Sequence, residues 1–259
     1  MADIVPAPDR TTGYAMRGRQ GEVIDAIGRQ IISGRYRPGD LLPREAELTA
    51  EHEVSRTSVR EAMRVLAAKG LVDIRQKVGT RVRPQDLWNV FDTDILRWHS
   101  DVGLGEVIMR DLVEVRQIME PAAARLAAGR AGMTDLRRIS DALRAMDAST
   151  GSVDAYAHAD VEFHLAVYGA THNVLMRQFG NVIGDFMYLS FTIQQAVTDP
   201  ARLSDDVASH TEIYRAIDRG EGERAAEAMF DAVLDGKNSL IEALGDSAEQ
   251  PAARGAETA

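Results

Sequence analysis

The sequence of 259 residues contains no cysteine. This absence excludes disulfide bonds, thiolate metal ligands and a cysteine nucleophile, and it suits a reducing compartment. Aromatic residues make up only 5% of the chain, which argues against a large all-β domain. No apolar run approaches the ~20 residues that a transmembrane helix needs, and no signal peptide opens the sequence. We therefore expect a soluble, cytoplasmic protein that does not associate with a membrane.

The net charge of −10 conceals two oppositely charged parts. Residues 1 to 83 contain 15 Lys and Arg against 11 Asp and Glu, whereas the remaining residues contain 15 against 29. A basic first part on an acidic second part predicts polyanion binding at one end and a different task at the other. The length fits a small domain followed by a larger one.

The first part has the pattern of a winged helix-turn-helix domain. Apolar residues recur at helical spacing, Ser55 can cap the third helix, and Gly70 can end it. Helices are predicted over residues 20 to 33, 45 to 52 and 55 to 69, and strands over 71 to 75 and 80 to 83. We predict a flexible arm over residues 1 to 15 and the winged domain over 16 to 84.

Beyond Pro84 the apolar spacing is helical for the rest of the chain. Glycine and polar clusters separate seven predicted helices. These helices cover residues 87 to 101, 106 to 128, 134 to 148, 153 to 170, 174 to 196, 203 to 219 and 223 to 243. The fold class is therefore mainly α, with an all-helical domain over residues 85 to 244 and a disordered tail over 245 to 259.

The third helix carries a candidate DNA-binding face. Its apolar residues share one face, and its arginines share another: Val59, Ala62, Met63 and Leu66 against Arg56, Arg60 and Arg64. Arginine binds phosphates and guanine, and hydroxyls at a helix start can donate to a phosphate. The alternative is a solvated helix with ordinary charge pairs, such as Glu61 with Arg64. The helix cap, the short turn and the hairpin favour DNA binding.

Three polar residues in the second part occupy positions where packing would place aliphatic side chains. Asp160 and His164 lie in the apolar stripe of the helix over residues 153 to 170, and His210 lies in the stripe of a later helix. An unpaired buried carboxylate is costly, so these groups must bind each other, a cation or a polar ligand. Asp plus two His suits Zn²⁺, Mn²⁺ or Ni²⁺. A hydrogen-bonded core without metal is the alternative.

Arg116 is a candidate to bind the carboxylate of an effector through its bidentate guanidinium. The alternative is a helical i, i+4 ion pair with Glu120. Two other function classes stay open at this point. One is a metal-dependent enzyme that uses Asp160, His164 and His210, and the other is a DNA-organising protein without a ligand.

Several segments of the first part resemble the DNA-binding domain of the GntR superfamily of bacterial transcription regulators. They are Leu42-Pro-Arg-Glu-Ala-Glu-Leu48, Val54-Ser-Arg-Thr-Ser-Val-Arg-Glu-Ala-Met63 and Gly79-Thr-Arg-Val82. The resemblance implies DNA contacts from Ser55, Arg56, Thr57, Ser58 and Arg60. Related regulators often carry an arginine where this chain has Ala46, so Arg44 is the candidate for that contact. Lys77 and Gly79 on the hairpin complete the candidate set.

The helical part resembles the FCD effector domain of the FadR-type subfamily. Many FCD domains hold a divalent metal through an Asp-x-x-x-His pair and two further histidines. Asp160, His164 and His210 match the first three, but Ala232 stands where the last histidine is usually found. Arg116 matches an arginine that often lies near the ligand.

Two segments, residues 87 to 98 and 113 to 121, resemble the galactonate-repressor group of the subfamily. The regulators of this group respond to sugar acids. The resemblance implies a homodimeric repressor of a sugar-acid operon, of aldonate or hexuronate type. A small carboxylate effector would release it from a pseudo-palindromic operator. Trp88 and Trp98 are expected to pack between the two domains.

Overall fold

The computed structural model describes residues 18 to 103, 105 to 194 and 200 to 248. These residues form ten α-helices, one short 3-10 helix and one two-stranded sheet, which confirms the mainly α fold class. The chain divides into two compact units, Met1–Gly105 and Glu106–Ala259. The predicted arm over residues 1 to 15 lies outside the described residues.

The first unit has the predicted winged helix-turn-helix order. Its elements are α1 (Gly18–Ile32), α2 (Glu45–Glu51), α3 (Arg56–Ala68), β1 (Val72–Arg75), β2 (Gly79–Val82), a 3-10 helix (Gln85–Leu87) and α4 (Thr93–Asp101). The two strands pair antiparallel, with Val72 opposite Val82 and Arg75 opposite Gly79. The backbone N–H of Leu42 donates to the carbonyl of Thr80, which ties the chain before α2 to this wing.

The core of the first unit is built from the apolar faces of α1 and α3. The residues of the predicted α3 stripe, Val59, Ala62, Met63 and Leu66, are all buried. They pack with Ile24, Ile27 and Ile31 of α1 in one cluster. Because this face of α3 is buried against α1, its arginine face is left on the outside of the unit.

Helix α4 belongs to the first unit, although the sequence predicts that the second domain covers residues 85 to 244. The ammonium of Lys69, just after α3, lies 2.7 Å from Asp92 Oδ1 and 2.7 Å from Asp94 Oδ2. The predicted helix start at residue 87 is wrong, because Asp92 caps the helix by accepting from the backbone N–H of Asp94. The boundary after residue 84 therefore falls inside this compact unit.

The two tryptophans contribute to the core of the first unit, which differs from the expected packing between domains. Trp98 of α4 is fully buried, and its Nε1–H donates to Asp25 Oδ1 of α1 at 2.8 Å. Trp88 is also buried and donates to the carbonyl of Arg83 at 3.0 Å. Gly28 of α1 makes room for the Trp98 ring, since a Cβ at this position would lie 2.5 Å from two ring carbons.

We expect Gly28→Ala to destabilise the first unit, because the rigid indole of Trp98 must shift and weaken its bond to Asp25. Overpacking of this kind costs ~1–3 kcal/mol, or a Tm lower by ~4 °C or more. Thermal unfolding followed by circular dichroism measures the change. Gly129→Ala is the matched control, because Gly129 is helical, exposed and has no atom within 4 Å of an added Cβ. Equal Tm values for the two variants would contradict the proposed packing constraint.

The second unit is an all-helical bundle. Its helices are α5 (Gly105–Arg130), α6 (Met133–Ala148), α7 (Val153–Ala170), α8 (Val174–Gln194), α9 (Pro200–Asp218) and α10 (Gly222–Ala248). Helix α7 packs between α6 and α8, and α10 packs against α8 and α9. The predicted tail began at residue 245, but α10 continues to Ala248; the rest of the tail lies outside the described residues. Of the described helices, none is both long and apolar enough to cross a membrane.

Candidate functional site

The start of α3 presents the predicted hydroxyl and arginine groups on the surface of the first unit. Ser55 caps the helix, and its Oγ accepts from the backbone N–H of Ser58 at 3.1 Å. Ser55, Arg56, Thr57 and Arg60 are exposed, and Ser58 is half-buried. A capped helix start leaves other backbone N–H groups pointing outward, which favours the binding of a phosphate there.

The arginine face of α3 also forms charge pairs within the unit. Nε of Arg60 lies 2.8 Å from Glu45 Oε2 on α2, and Arg64 pairs with Glu61. Arg60 nevertheless keeps 63% of its side-chain surface exposed. Exposed ion pairs contribute only ~0–1 kcal/mol, so Glu45 does not prevent Arg60 from binding a partner of higher charge density.

The remaining DNA-contact candidates lie on the wing and before α2. Lys77 is exposed in the turn between the strands and has a positive φ of 64°, while Gly79 has a φ of 117° that favours glycine. Arg44 is exposed at the cap position of α2, where its backbone N–H donates to Glu47 Oε2 at 2.7 Å. All candidates predicted in this unit are therefore at its surface, although Ser58 is only partly exposed.

The second unit contains a buried polar centre that joins α7 and α9. Asp160 and His164 are on α7, His210 is on α9, and each residue is 2–3% exposed. Nε2 of His210 lies 3.1 Å from Asp160 Oδ1 and 3.2 Å from Nε2 of His164. Nε2 of His164 lies 3.6 Å from the same carboxylate oxygen. The structure therefore brings together the three residues that the sequence predicts to share one centre.

The Nδ1 atom of each imidazole, on the side of the ring away from Asp160, also has a polar neighbour. Nδ1 of His210 is 2.8 Å from the backbone carbonyl of Asp206, which can only accept a hydrogen bond. Nδ1 of His164 is 2.8 Å from Glu120 Oε2 on α5, close enough for an ion pair when the imidazole is protonated. If a metal ion replaced the Nε2 protons, a proton kept on each Nδ1 would leave the Nε2 lone pairs free to bind that ion. This outer support is typical of histidines that bind metals.

The buried carboxylates of the centre, Asp160 and Glu120, contact the two imidazoles. Burial alone raises the pKa of Asp160, but the charge of His164 and hydrogen bonds from both imidazoles hold it well below its usual value. Burial lowers the pKa of His210, yet Asp206 and Asp160 raise it well above its usual value. Burial also lowers the pKa of His164, but Glu120 and Asp160 outweigh this effect and raise the pKa above its usual value. The carboxylates thus favour a positive charge among them, either a proton or a metal cation.

The arrangement of donors fits a divalent transition metal. One ligand atom from each of Asp160, His164 and His210 lies within 4.8 Å of the other two. Metal bonds of ~2.0–2.1 Å at angles between 90° and 110° separate neighbouring ligand atoms by ~2.9–3.4 Å. The separations of 3.1 to 3.6 Å between these atoms are close to this range. Ala232 on α10 is buried, and its methyl group supplies no fourth ligand.

Arg116 on α5 is partly buried and pairs with Glu120, as in the alternative that the sequence left open. Nε of Arg116 donates to Glu120 Oε1 at 2.6 Å, and the side chain is only 12% exposed. Burial raises the pKa of Glu120, but Arg116 and His164 outweigh it and lower the pKa to about 2. Glu120 therefore connects the candidate effector-binding arginine to the candidate metal centre.

Three residues of this site were not predicted as part of it. Glu120 was considered only as a partner of Arg116, and its contact with His164 crosses from α5 to α7. Asp206 accepts from the hydroxyl of Tyr156 at 2.6 Å, and Tyr168 buries a hydroxyl one turn beyond His164. The available signal was helical spacing, since Asp206 precedes His210 by four residues and Tyr168 follows His164 by four.

Two protein-family models match the chain in the order of the two units. Residues 19–82 match the model described as bacterial regulatory proteins, gntR family, and residues 111–233 match the FCD domain. The first match contains α1 to α3 and the wing. The second contains Arg116, Glu120 and the three residues of the buried centre.

Curated relatives and solved structures agree with these matches. The galactonate operon transcriptional repressor of Escherichia coli (strain K12) is 33% identical over 220 residues, which cover 85% of this chain and 96% of that protein. The Uxu operon transcriptional regulator of the same organism is 27% identical over 226 residues, covering 85% and 86%. The structure of Lar, which controls the Listeria monocytogenes agr system, superposes with a TM-score of 0.61 at 18% identity. It covers 87% of this chain and 98% of that one, and it supports the fold alone.

Proposed function

Because the chain belongs to the gntR family of bacterial regulatory proteins and carries an FCD domain, we propose that it is a repressor of a sugar-acid operon that a small carboxylate releases from DNA. The family and the relatives are transcription regulators, so the metal-dependent enzyme considered from the sequence is not supported. The sugar-acid assignment draws on the galactonate repressor, to which the chain is 33% identical over nearly the whole of that protein.

The observation that carries the proposal is the capped start of α3, which exposes Arg56 and Arg60. We assign direct or phosphate contacts with operator DNA to Ser55, Arg56, Thr57, Ser58 and Arg60, which lie in the first turns of this helix. Arg44 at the start of α2 and Lys77 and Gly79 on the wing would contact the DNA backbone. Each of these residues except Ser58 is exposed, which leaves it accessible to DNA.

The second unit would bind the effector. Arg116 would hold its carboxylate, and Asp160, His164 and His210 would hold a Zn²⁺, Mn²⁺ or Ni²⁺ ion. A divalent ion bound there would act as a Lewis acid that attracts oxygen atoms of the effector. Glu120 and the carbonyl of Asp206 would keep both imidazoles oriented for this ion, and Arg116 would give up part of its pairing with Glu120 when an effector carboxylate arrives.

A homodimer would place two first units on the two halves of a pseudo-palindromic operator. The spacing between half-sites admits only some arrangements of the dimer. If the effector binds another arrangement more tightly, its differential affinity lowers the affinity for DNA.

The direct test is a gel-shift titration with the DNA upstream of the chain's own gene and its neighbouring operon. We expect retardation at ~10⁻⁸ M protein or lower at physiological salt, and release by galactonate or another sugar acid. Random duplex of equal length is the control. Equal affinity for upstream and random DNA would refute an operator-binding repressor, whereas specific binding that no sugar acid relieves would refute only the effector class.

A further inference from the structure

Tyr168 on α7 has a buried hydroxyl without a hydrogen-bond partner among the described residues. Its side chain is 1% exposed. Tyr156, the other buried tyrosine of this helix, donates to Asp206 at 2.6 Å. A buried hydroxyl that makes no hydrogen bond costs ~1–3 kcal/mol relative to a bonded one. The hydroxyl of Tyr168 is therefore a buried donor and acceptor of this region that the described residues leave without a hydrogen-bond partner.

The ring of Tyr168 is held in place by α8. Gly180 lies directly against it, since a Cβ at Gly180 would be 2.6 Å from the ring carbon Cγ of Tyr168. Phe179 meets the ring edge-on at a centroid distance of 6.5 Å. A ring confined in this way cannot swing its hydroxyl toward a distant partner. The hydroxyl is thus preorganised, as ligand-binding groups in proteins commonly are.

The hydroxyl lies in the same region as the candidate effector residues. Tyr168 follows His164 by one helical turn, and both residues are buried on α7. Burial raises the pKa of Tyr168 well above its usual value and the charge of Glu120 raises it further, while Arg116 acts in the opposite direction. The phenol is therefore neutral. It interacts electrostatically with Glu120 and Arg116 of α5 but makes no hydrogen bond to either of them.

We propose that Tyr168 is an effector-binding residue whose hydroxyl recognises an alcohol group of a polyhydroxylated carboxylate while Arg116 binds the carboxylate. This inference rests on the proposed function of the second unit. A neutral hydroxyl both donates and accepts, so it complements an alcohol, whereas the guanidinium complements a carboxylate. A site with a buried polar group discriminates strongly against ligands that leave this group unpaired. Tyr168 would thus favour sugar acids over simple aliphatic acids.

The test is Tyr168→Phe in the full chain, which keeps the ring against Gly180 and removes only the hydroxyl. The probes are galactonate, gluconate, galacturonate and glucuronate, and calorimetric titration measures their binding. We expect the sugar acid that wild type binds best to bind the variant at least tenfold more weakly. We also expect an unchanged or higher Tm, because the variant loses an unpaired buried group.

Tyr156→Phe is the matched control on the same helix. Its hydroxyl is already bonded to Asp206, so we expect this variant to lose stability. Unchanged sugar-acid binding by Tyr168→Phe would overturn the role of Tyr168 and leave the proposed repressor function standing. A Tm loss as large as that of Tyr156→Phe would also overturn it, since the hydroxyl would then have a structural partner. If wild type binds none of the four acids, the proposed ligand class is wrong. The gel-shift titration then tests DNA binding independently of this result.

Discussion

Replacing Arg60 with alanine is expected to abolish specific operator binding while leaving the fold intact. Arg60 projects from the first turns of α3 with 63% of its side chain exposed, and its only described ion pair is the exposed one with Glu45. Each bidentate contact between arginine and guanine contributes ~1–3 kcal/mol of discrimination. Two copies in the proposed dimer would contribute ~2–6 kcal/mol, so affinity should fall at least ~30-fold. A gel-shift titration at fixed salt measures the loss.

Arg144→Ala is the matched control for this substitution. Arg144 is an exposed helical arginine that pairs with Asp141 in the second unit, so its removal changes net charge equally without touching the candidate DNA-binding surface. We expect its operator affinity to stay within about threefold of wild type, because the charge lies away from the phosphate contacts. Comparable losses from both variants would show that only overall charge matters, and full retention by Arg60→Ala would contradict the assignment of Arg60.

The second large effect is expected at the buried centre. His164→Ala removes an imidazole that contacts Asp160, Glu120 and His210, and it leaves two carboxylates without this partner. Loss of residues that only support a ligand already costs 10- to 100-fold in metal affinity, so loss of the ligand should cost at least ~100-fold. We expect sugar acids to release the variant from its operator only at tenfold or higher concentration. Operator affinity without effector should be unchanged.

These effects are measured by elemental analysis after loading with Zn²⁺, Mn²⁺ or Ni²⁺, and by effector titration of the DNA complex. If His164→Ala unfolds the unit, Asp160→Asn serves as a second variant. Its amide keeps the shape of the carboxylate but removes the negative charge. His158→Ala is the matched control, since His158 lies on the same helix, is exposed and contacts the ring of Tyr188 instead of the centre. Wild-type protein that retains no metal after loading would contradict the metal assignment and favour a hydrogen-bonded core.

Much of the first unit could be predicted because its signals are local. The period of 3.6 residues identifies Val59, Ala62, Met63 and Leu66 as the buried face of α3, and Ser55 is a residue type that caps helices. The structure confirms both features. The start of helix α4 was harder to predict, because apolar spacing alone placed it at residue 87. Its start at Thr93 depends on the Asp92 cap, and that carboxylate is fixed by Lys69, 23 residues earlier in the chain.

The amino-acid pattern alone was enough to predict most helices and the three polar residues that interrupt apolar stripes, because these features depend on neighbours within a few turns of one helix. Packing between helices, in contrast, brings Glu120 into contact with both Arg116 and His164 and places Trp98 against Gly28. It also leaves the hydroxyl of Tyr168 without a hydrogen-bond partner among the residues that the structure describes. These contacts join different helices. Periodicity says which face of a helix is buried, but the packing of side chains between helices determines which residues meet.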